Sequence, residues 1–329
     1  MELPHQLRSA IENELYSSVS ELTSRVSFLS ESYRSGTGHS KPGCTLSRED
    51  VSAYTVYRMP ATYAAVYASL THAKERFPGW TPSSLLDVGA GPGTVMWAAG
   101  EIWPELKEIT LVERNGYMID LGKKLSIYSH IPAVKNAEWI NADIMDDWDI
   151  APNSIVTASY VLNELSEEDG TALVNRLWGK TQDVLVIIEP GTPESFMRLK
   201  MARDLLISQG AITLAPCPHN NTCPVPEGDW CHFSQRVART RLHRMVKSGT
   251  LSYEDEKFSF LCMSRNQGIN IDGLVIRHPQ IRKGHIKLKL CTSNGITECT
   301  VTRKNKEEFR HARKLLWGSV IRSTSKESS

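Results

Sequence analysis

Apolar residues recur at helical spacing in the first eighty positions, at Leu7, Ile11, Leu15, Val19, Leu22 and Val26. That period of three to four predicts amphipathic helices. A Gly/Ser/Pro-rich stretch, RSGTGHSKPGCT at 34–45, predicts a loop. A second helical run starts from a capping box, Ser47 with Asp50 three residues on. Pro60 lies inside that run and predicts a kink or a break near Met59. From Leu85 to Glu189 short apolar runs alternate with helical patterns. This alternation predicts a parallel sheet with crossover helices. After Gly191 come another helix, a Pro/Cys-rich loop at 215–232, and basic helical and β segments ending in a polar tail, STSKESS. Three regions follow: helical 1–80, an α/β nucleotide-binding domain at 81–210, and a C-terminal region at 211–329 that completes the sheet.

Composition adds class. No apolar run approaches the ~20 residues of a membrane span. The acidic N-terminal residues Glu2, Glu12 and Glu14 fit neither a signal nor a transit peptide. A cytoplasmic protein is expected. The net charge of +1 conceals an asymmetry. Residues 1–190 hold 15 Lys and Arg against 25 Asp and Glu, whereas 191–329 hold 23 against 12. Either the basic end faces a polyanion or it is a solvated surface.

LLDVGAGPGT reads as strand, glycine turn and helix start, with Gly89, Gly91 and Gly93 allowing the backbone to approach a ligand closely. The third glycine comes one residue too early for a dinucleotide fingerprint. G-x-G-x-G after a strand bearing Asp87 resembles the adenosylmethionine methyltransferases instead. Glu113, closing the next strand, is placed to accept both ribose hydroxyls. Asp143 follows the third strand and is a candidate for the adenine amine, or else a turn cap. Asn163 and Glu164 follow the fourth strand near the carboxyl edge, where open α/β sheets bind ligands. Glu189, Pro190 and Gly191 either border a substrate or shape a turn. The Asp/Asn-Pro-Pro-Tyr motif of amino-group methylation is missing, and no catalytic base stands out. Alignment alone can support methyl transfer.

Seven cysteines in a cytosolic chain argue against a disulfide framework. Cys217, Cys223 and Cys231 are spaced C-x5-C-x7-C among prolines, wider than zinc knuckles. Such loops suit an iron–sulfur centre, which needs a fourth thiolate. His219 and His232 keep zinc as the alternative. Cys291, ending HIKLKLC before a turn, is favoured as the fourth ligand over Cys262, which reads as a buried strand thiol. Cys44 and Cys299 read as structural. Directly afterwards, HFSQRVARTRLHRMVKSG carries Arg236, Arg239, Arg241, Arg244 and Lys247. Read as a helix, it presents a dense positive surface. With RHPQIRKGHIKLKL and TRKNKEEFRHARKLLWG it points to phosphate-backbone binding.

The ordered set SAYTVYRMPATYAAVYASL, LLDVGAGPGT, VLNEL, VIIEPGTP, CPHNNTCP…WCHFSQRV, LSYEDEKFSF, GHIKLKLCTSNG and ARKLLWG, from about residue 50 to 318, resembles the methyltransferase-like family associated with the mitochondrial ribosomal small subunit, which also has bacterial members. The resemblance implies a seven-stranded Rossmann-like methyltransferase domain, S-adenosylmethionine, and a 4Fe–4S cluster on Cys217, Cys223, Cys231 and Cys291. It also implies action on small-subunit ribosomal RNA or its assembly. The acidic N-terminus then suggests a bacterial, cytoplasmic member. Two other readings are open: a non-catalytic assembly factor, and a zinc-stabilised methyltransferase of a small molecule or protein.

Overall fold

The computed structural model describes residues 1–14, 19–34, 46–247 and 251–322. Leu15, Cys44, nearly all of the 34–45 loop and the STSKESS tail lie outside them. Four helices open the chain: α1 (His5–Glu14), α2 (Val19–Arg34), α3 (Arg48–Tyr57) and α4 (Met59–Arg76). Leu7, Ile11, Leu22 and Val26 are buried, as the helical period requires. Ser47 and Asp50 make both bonds of the capping box at the start of α3. Pro60 falls in the first turn of α4, where its missing N–H costs nothing, so the run divides at Arg58.

The central sheet is built from β1 (Ser84–Val88), β2 (Glu108–Glu113), β3 (Glu138–Asn141), β4 (Asn153–Ser159), β5 (Thr181–Pro190), β6 (Ile212–Ala215), β7 (Phe233–Ala238) and β8 (Tyr253–Ser264). Its order is β3-β2-β1-β4-β5-β8-β6, parallel through β5, with β8 antiparallel to both its neighbours. Crossover segments carry α5 (Thr94–Ile102), α6 (Gly116–Ser126), α7 (Pro132–Lys135), α8 (Glu167–Gly179) and α9 (Pro193–Ser208). The strands are buried on both faces, which explains their continuous apolar runs. Seven strands are expected and eight are found. The twelve-residue β8 is long enough to pair β6 through Cys262–Ser264 and β7 through Tyr253–Phe258 along one edge.

Strand β7 corrects the helical reading of residues 232–249. Arg236 lies on β7, and only α10 (Arg241–Lys247) is helical. Val237 and Phe233 point into the core at the two-residue period of a strand. A second sheet follows, from β9 (Gly273–Val275), β10 (Gln280–Arg282), β11 (His285–Thr292), β12 (Gly295–Thr302) and β13 (Val320–Ile321), with α11 (Lys306–Ala312) against one face. Val275, Ile286, Leu288, Ala312 and Leu315 form its own small core. No helix among the described residues is long and apolar enough to cross a membrane.

Candidate functional site

The glycine turn sits at the carboxyl end of β1, beside β2 and β4, at the point where the strand order reverses. Gly89, Gly91 and Gly93 all have positive φ, at 74°, 54° and 81°. A Cβ on Gly89 would stand 2.6 Å from the Val161 side chain, whereas one on Gly91 would meet nothing within 4 Å. The turn is therefore packed from below and open above Gly91. Glu113 fastens it. Its Oε2 accepts the Gly91 amide and its Oε1 the Asn115 amide, each at 2.8 Å. Each oxygen keeps a lone pair for a further donor. Asp87 is fully buried; Oδ1 accepts the Thr157 hydroxyl at 2.7 Å and Oδ2 has no partner. Burial pushes its carboxyl up to about 7.

Around this turn the structure distributes the other candidates unevenly. Asp143 caps a turn through the Met145 amide and pairs with Arg114 at 3.0 Å, so both its oxygens are engaged locally. Glu189 is fully buried and accepts the amides of Val161, Leu162 and Asn163, which fixes the short helical turn Leu162–Glu164. It shapes a turn. The exposed Asn163 has an amide whose favoured orientation donates to Glu189 at 2.8 Å and to the Tyr160 carbonyl at 3.1 Å.

Tyr160 directly follows β4 and is the one non-glycine residue with positive φ among the described residues, at 61°. Its hydroxyl donates to Glu256 at 2.9 Å. Arg58 donates to both Glu256 oxygens at 3.0 and 2.8 Å and lies 4.8 Å above the Tyr160 ring. Sequence reading missed this trio, whose members are 198 residues apart at the extremes. A polar residue at a helix break and another in a strand carry no signal of their pairing.

The cysteines lie some distance along the sheet. Cys217, Cys223, Cys231 and Cys291 line one recess of about 640 Å³, including its open mouth. Three come from the β6–β7 connection and the fourth from the end of β11. Cys262 faces elsewhere, buried on β8 with its Sγ toward the Ser69 carbonyl. Cys299 is exposed on β12. Arg203 of α9 is almost wholly buried and donates to the carbonyls of His219 and Asn221 at 2.8 Å each, holding the cysteine loop down. Its position inside a helix gave no hint of this. His219 Nε2 stands 4.0 Å from Cys291 Sγ, and His232 stacks on Trp230 with centroids 5.0 Å apart.

Burial and neighbouring cysteines push the Cys217 and Cys231 thiols up, and that of Cys291 to about 12. Three buried thiols raised in this way do not ionise together without a cation among them. An iron–sulfur centre needs four thiolates, and four cysteines line this recess. Among the described residues no three His, Cys, Asp or Glu side chains stand at the spacing of ligands to a single metal ion.

The basic candidates divide. Arg236 is bonded twice to Asp255, and Arg239 and Lys247 share Glu254 at 2.9 and 2.7 Å. Arg241 and Arg244 are exposed and have no ion-pair partner among the described residues. Three of the five cations are thus neutralised within the fold.

A model of the family described as "Mitochondrial small ribosomal subunit Rsm22" matches residues 48–322. The chain belongs to that family. The human relative, "Ribosome assembly protein METTL17, mitochondrial", is 29% identical over 294 residues, 82% of this chain and 61% of the relative. In Schizosaccharomyces pombe, "Rsm22-cox11 tandem protein 2, mitochondrial" is 23% identical over 329 residues, 84% of this chain and 44% of the relative. This Rsm22-family chain therefore spans only about half to three fifths of those relatives' lengths. Among solved structures, the plantazolicin methyltransferase BpumL with SAH is similar at TM-score 0.42 and 13% identity, covering 78% of this chain and 99% of that one. The magnesium protoporphyrin IX methyltransferase of Synechocystis PCC 6803 with bound SAM gives TM-score 0.41 and 12% identity, covering 76% and 99%. The Rossmann-like assignment of the Rsm22-family chain rests on its own strand order.

Proposed function

We propose that this chain is an S-adenosylmethionine-binding, 4Fe–4S-bearing factor of small ribosomal subunit assembly that engages small-subunit ribosomal RNA through its C-terminal half. The observation that carries this reading is the continuous family match from residue 48 to 322, which takes in the glycine turn and all four recess cysteines. The human relative's name, a ribosome assembly protein, supports the assembly role.

Gly89–Gly93 would receive the methionine moiety over the open side of Gly91, and the free lone pairs of Glu113 would accept the ribose hydroxyls. Asp143 and Asn163 would border the adenine end. Bound adenosylmethionine supplies a sulfonium-borne methyl group. Cys217, Cys223, Cys231 and Cys291 would hold the cluster, tying the β6–β7 connection to β11 and so one sheet to the other.

Anaerobic purification tests the cluster. A brown protein whose broad visible absorbance bleaches with dithionite is expected, and Cys291→Ser should lose the colour while Cys262→Ser keeps it. A colourless protein with one zinc would replace the cluster by a zinc site. Co-sedimentation of the full chain with immature small subunits tests the assembly role, and no association would overturn it.

Methyl transfer to RNA is the second reading. Strained Tyr160 at the carboxyl edge of β4 favours it, since such backbone strain collects where ligands are handled. Labelled-methyl transfer onto small-subunit particles, with Glu113→Ala as control, separates transfer from binding alone.

A further inference from the structure

Positive charge is dense along the small second sheet and the helix beside it. Residues 277–314 hold 11 Lys and Arg against three acids, Glu298, Glu307 and Glu308. The register arranges part of this charge in rows across three strands. Arg282, His285 and Thr302 form one row, and Gln280, Lys287 and Thr300 the next. Lys289 follows, opposite Glu298. Side chains two residues apart on a strand share a face and stand about 7 Å apart. The alternate residues Ile286 and Leu288 are buried against Ala312 and Leu315, so the cationic rows lie on the face away from α11.

Arg282, Lys287, Gln280, Thr300 and Thr302 are exposed. Arg282 and Lys287 have no ion-pair partner among the described residues, unlike Arg236, Arg239 and Lys247. A merely solvated surface intersperses both signs; here two carboxylates meet the rows, Glu298 opposite Lys289 and Asp229 at one end, and both lie at the Lys289 end. At one end, the Arg303 amide donates to the Gly284 carbonyl and brings Arg303 and Lys304 beside the β10–β11 turn. At the other end, Lys289 and Arg277 both reach Asp229, and the exposed His278 ring packs edge-on against Trp317 at 4.8 Å.

We propose that the outer face of this sheet binds single-stranded RNA, with phosphates on Arg282, Lys287 and the turn cations and an unstacked base at the His278–Trp317 end. The site rests on the RNA-binding reading above and specifies where and in what form the RNA is held. A line of cations with hydroxyls and amides between them, ending on an aromatic pair, follows one strand's backbone and takes a base face without needing its sequence. A duplex offers neither free bases nor a strand that can lie along one sheet face.

The test is fluorescence anisotropy of the full chain with an unstructured RNA oligonucleotide, an RNA duplex, and phosphatidylserine vesicles as competitor. The wild type should prefer the single strand. Arg282→Gln with Lys287→Gln, both at exposed positions, should weaken binding about tenfold and reduce the salt slope by about 1.4. Lys107→Gln with Lys135→Gln, exposed cations of the central domain, should leave binding within about twofold by the same salt-dependent logic. Wild-type binding that the sheet variant leaves unchanged overturns this face alone. A wild type that binds no RNA overturns the RNA reading and this face with it. Preference for duplex, or displacement of RNA by vesicles, also overturns the proposal.

Discussion

The Glu113 carboxylate accepts the amide of Gly91 at 2.8 Å, so the acid that ends β2 holds the turn that ends β1. One side chain thereby shapes the proposed ligand site and faces its ligand. Glu113→Gln keeps the size but replaces an acceptor oxygen with a donor nitrogen, against an amide that also donates. Loss of a hydrogen bond to a charged group costs about 1.5–3 kcal/mol. Adenosylmethionine affinity, measured by calorimetry, should fall at least about tenfold. Unchanged affinity would remove Glu113 from the site.

Asp87 lies directly beneath that turn, fully buried with one unpartnered oxygen. Burial raises its carboxyl from the ordinary 3.8 to about 7, so the folded chain holds a proton that the unfolded chain releases. Between about pH 4 and pH 7 the folded state binds more protons, and its stability falls as pH rises through that window. The slope is at most about 1.4 kcal/mol per pH unit. Asp87→Asn should flatten the urea-denaturation profile between pH 5 and pH 7 relative to wild type. A parallel profile would show that Asp87 titrates normally.

Arg58 and Glu256 join the helical layer to β8 through two hydrogen bonds while each remains mostly buried, 23% and 13% exposed. Glu256→Ala leaves a guanidinium in a site that water reaches poorly, and should destabilise the chain by about 3 kcal/mol. Arg58→Met in the same chain should recover most of the loss, because the pair's own net worth is small. Equal losses in the single and double variants, read from urea midpoints, would contradict this account.

The sheet was legible in the alternating runs from Leu85 to Glu189 because buried parallel strands need uninterrupted apolar residues. The capping box and the Pro60 break were legible because both act within one helical turn. Cys291 was legible as a strand end, and the structure places it with the other three cysteines. What failed was long-range or ambiguous. Strand β7 offers only Phe233 and Val237 as large apolar residues and runs straight on into the cations from Arg239 to Lys247, so its two-residue period is hidden. The arginines of residues 232–247 looked like a free surface because their carboxylate partners, Glu254 and Asp255, come after a further loop. Arg203 carried no signal in the sequence, since the two acceptors that tie it to the cysteine loop are backbone carbonyls that composition does not display.

That last residue yields the most direct test of how the cysteine loop is organised. Arg203 spends two hydrogen bonds on the His219 and Asn221 carbonyls, both between Cys217 and Cys223, and is only 3% exposed. Arg203→Met fills similar volume but leaves both carbonyls unpaired inside the fold, at a cost of about 3 kcal/mol. Both bonds come from the single nitrogen Nη2; Arg203→Lys keeps the charge on a side chain one atom shorter, so it should restore only part of that loss. If the loop is held by this guanidinium, protease cleavage within residues 217–231 should accelerate in the order wild type, Arg203→Lys, Arg203→Met, while hydrogen exchange in β1, β4 and β5 stays unchanged. Uniform loss of protection across the central strands would mean that Arg203 supports the whole fold and not the loop.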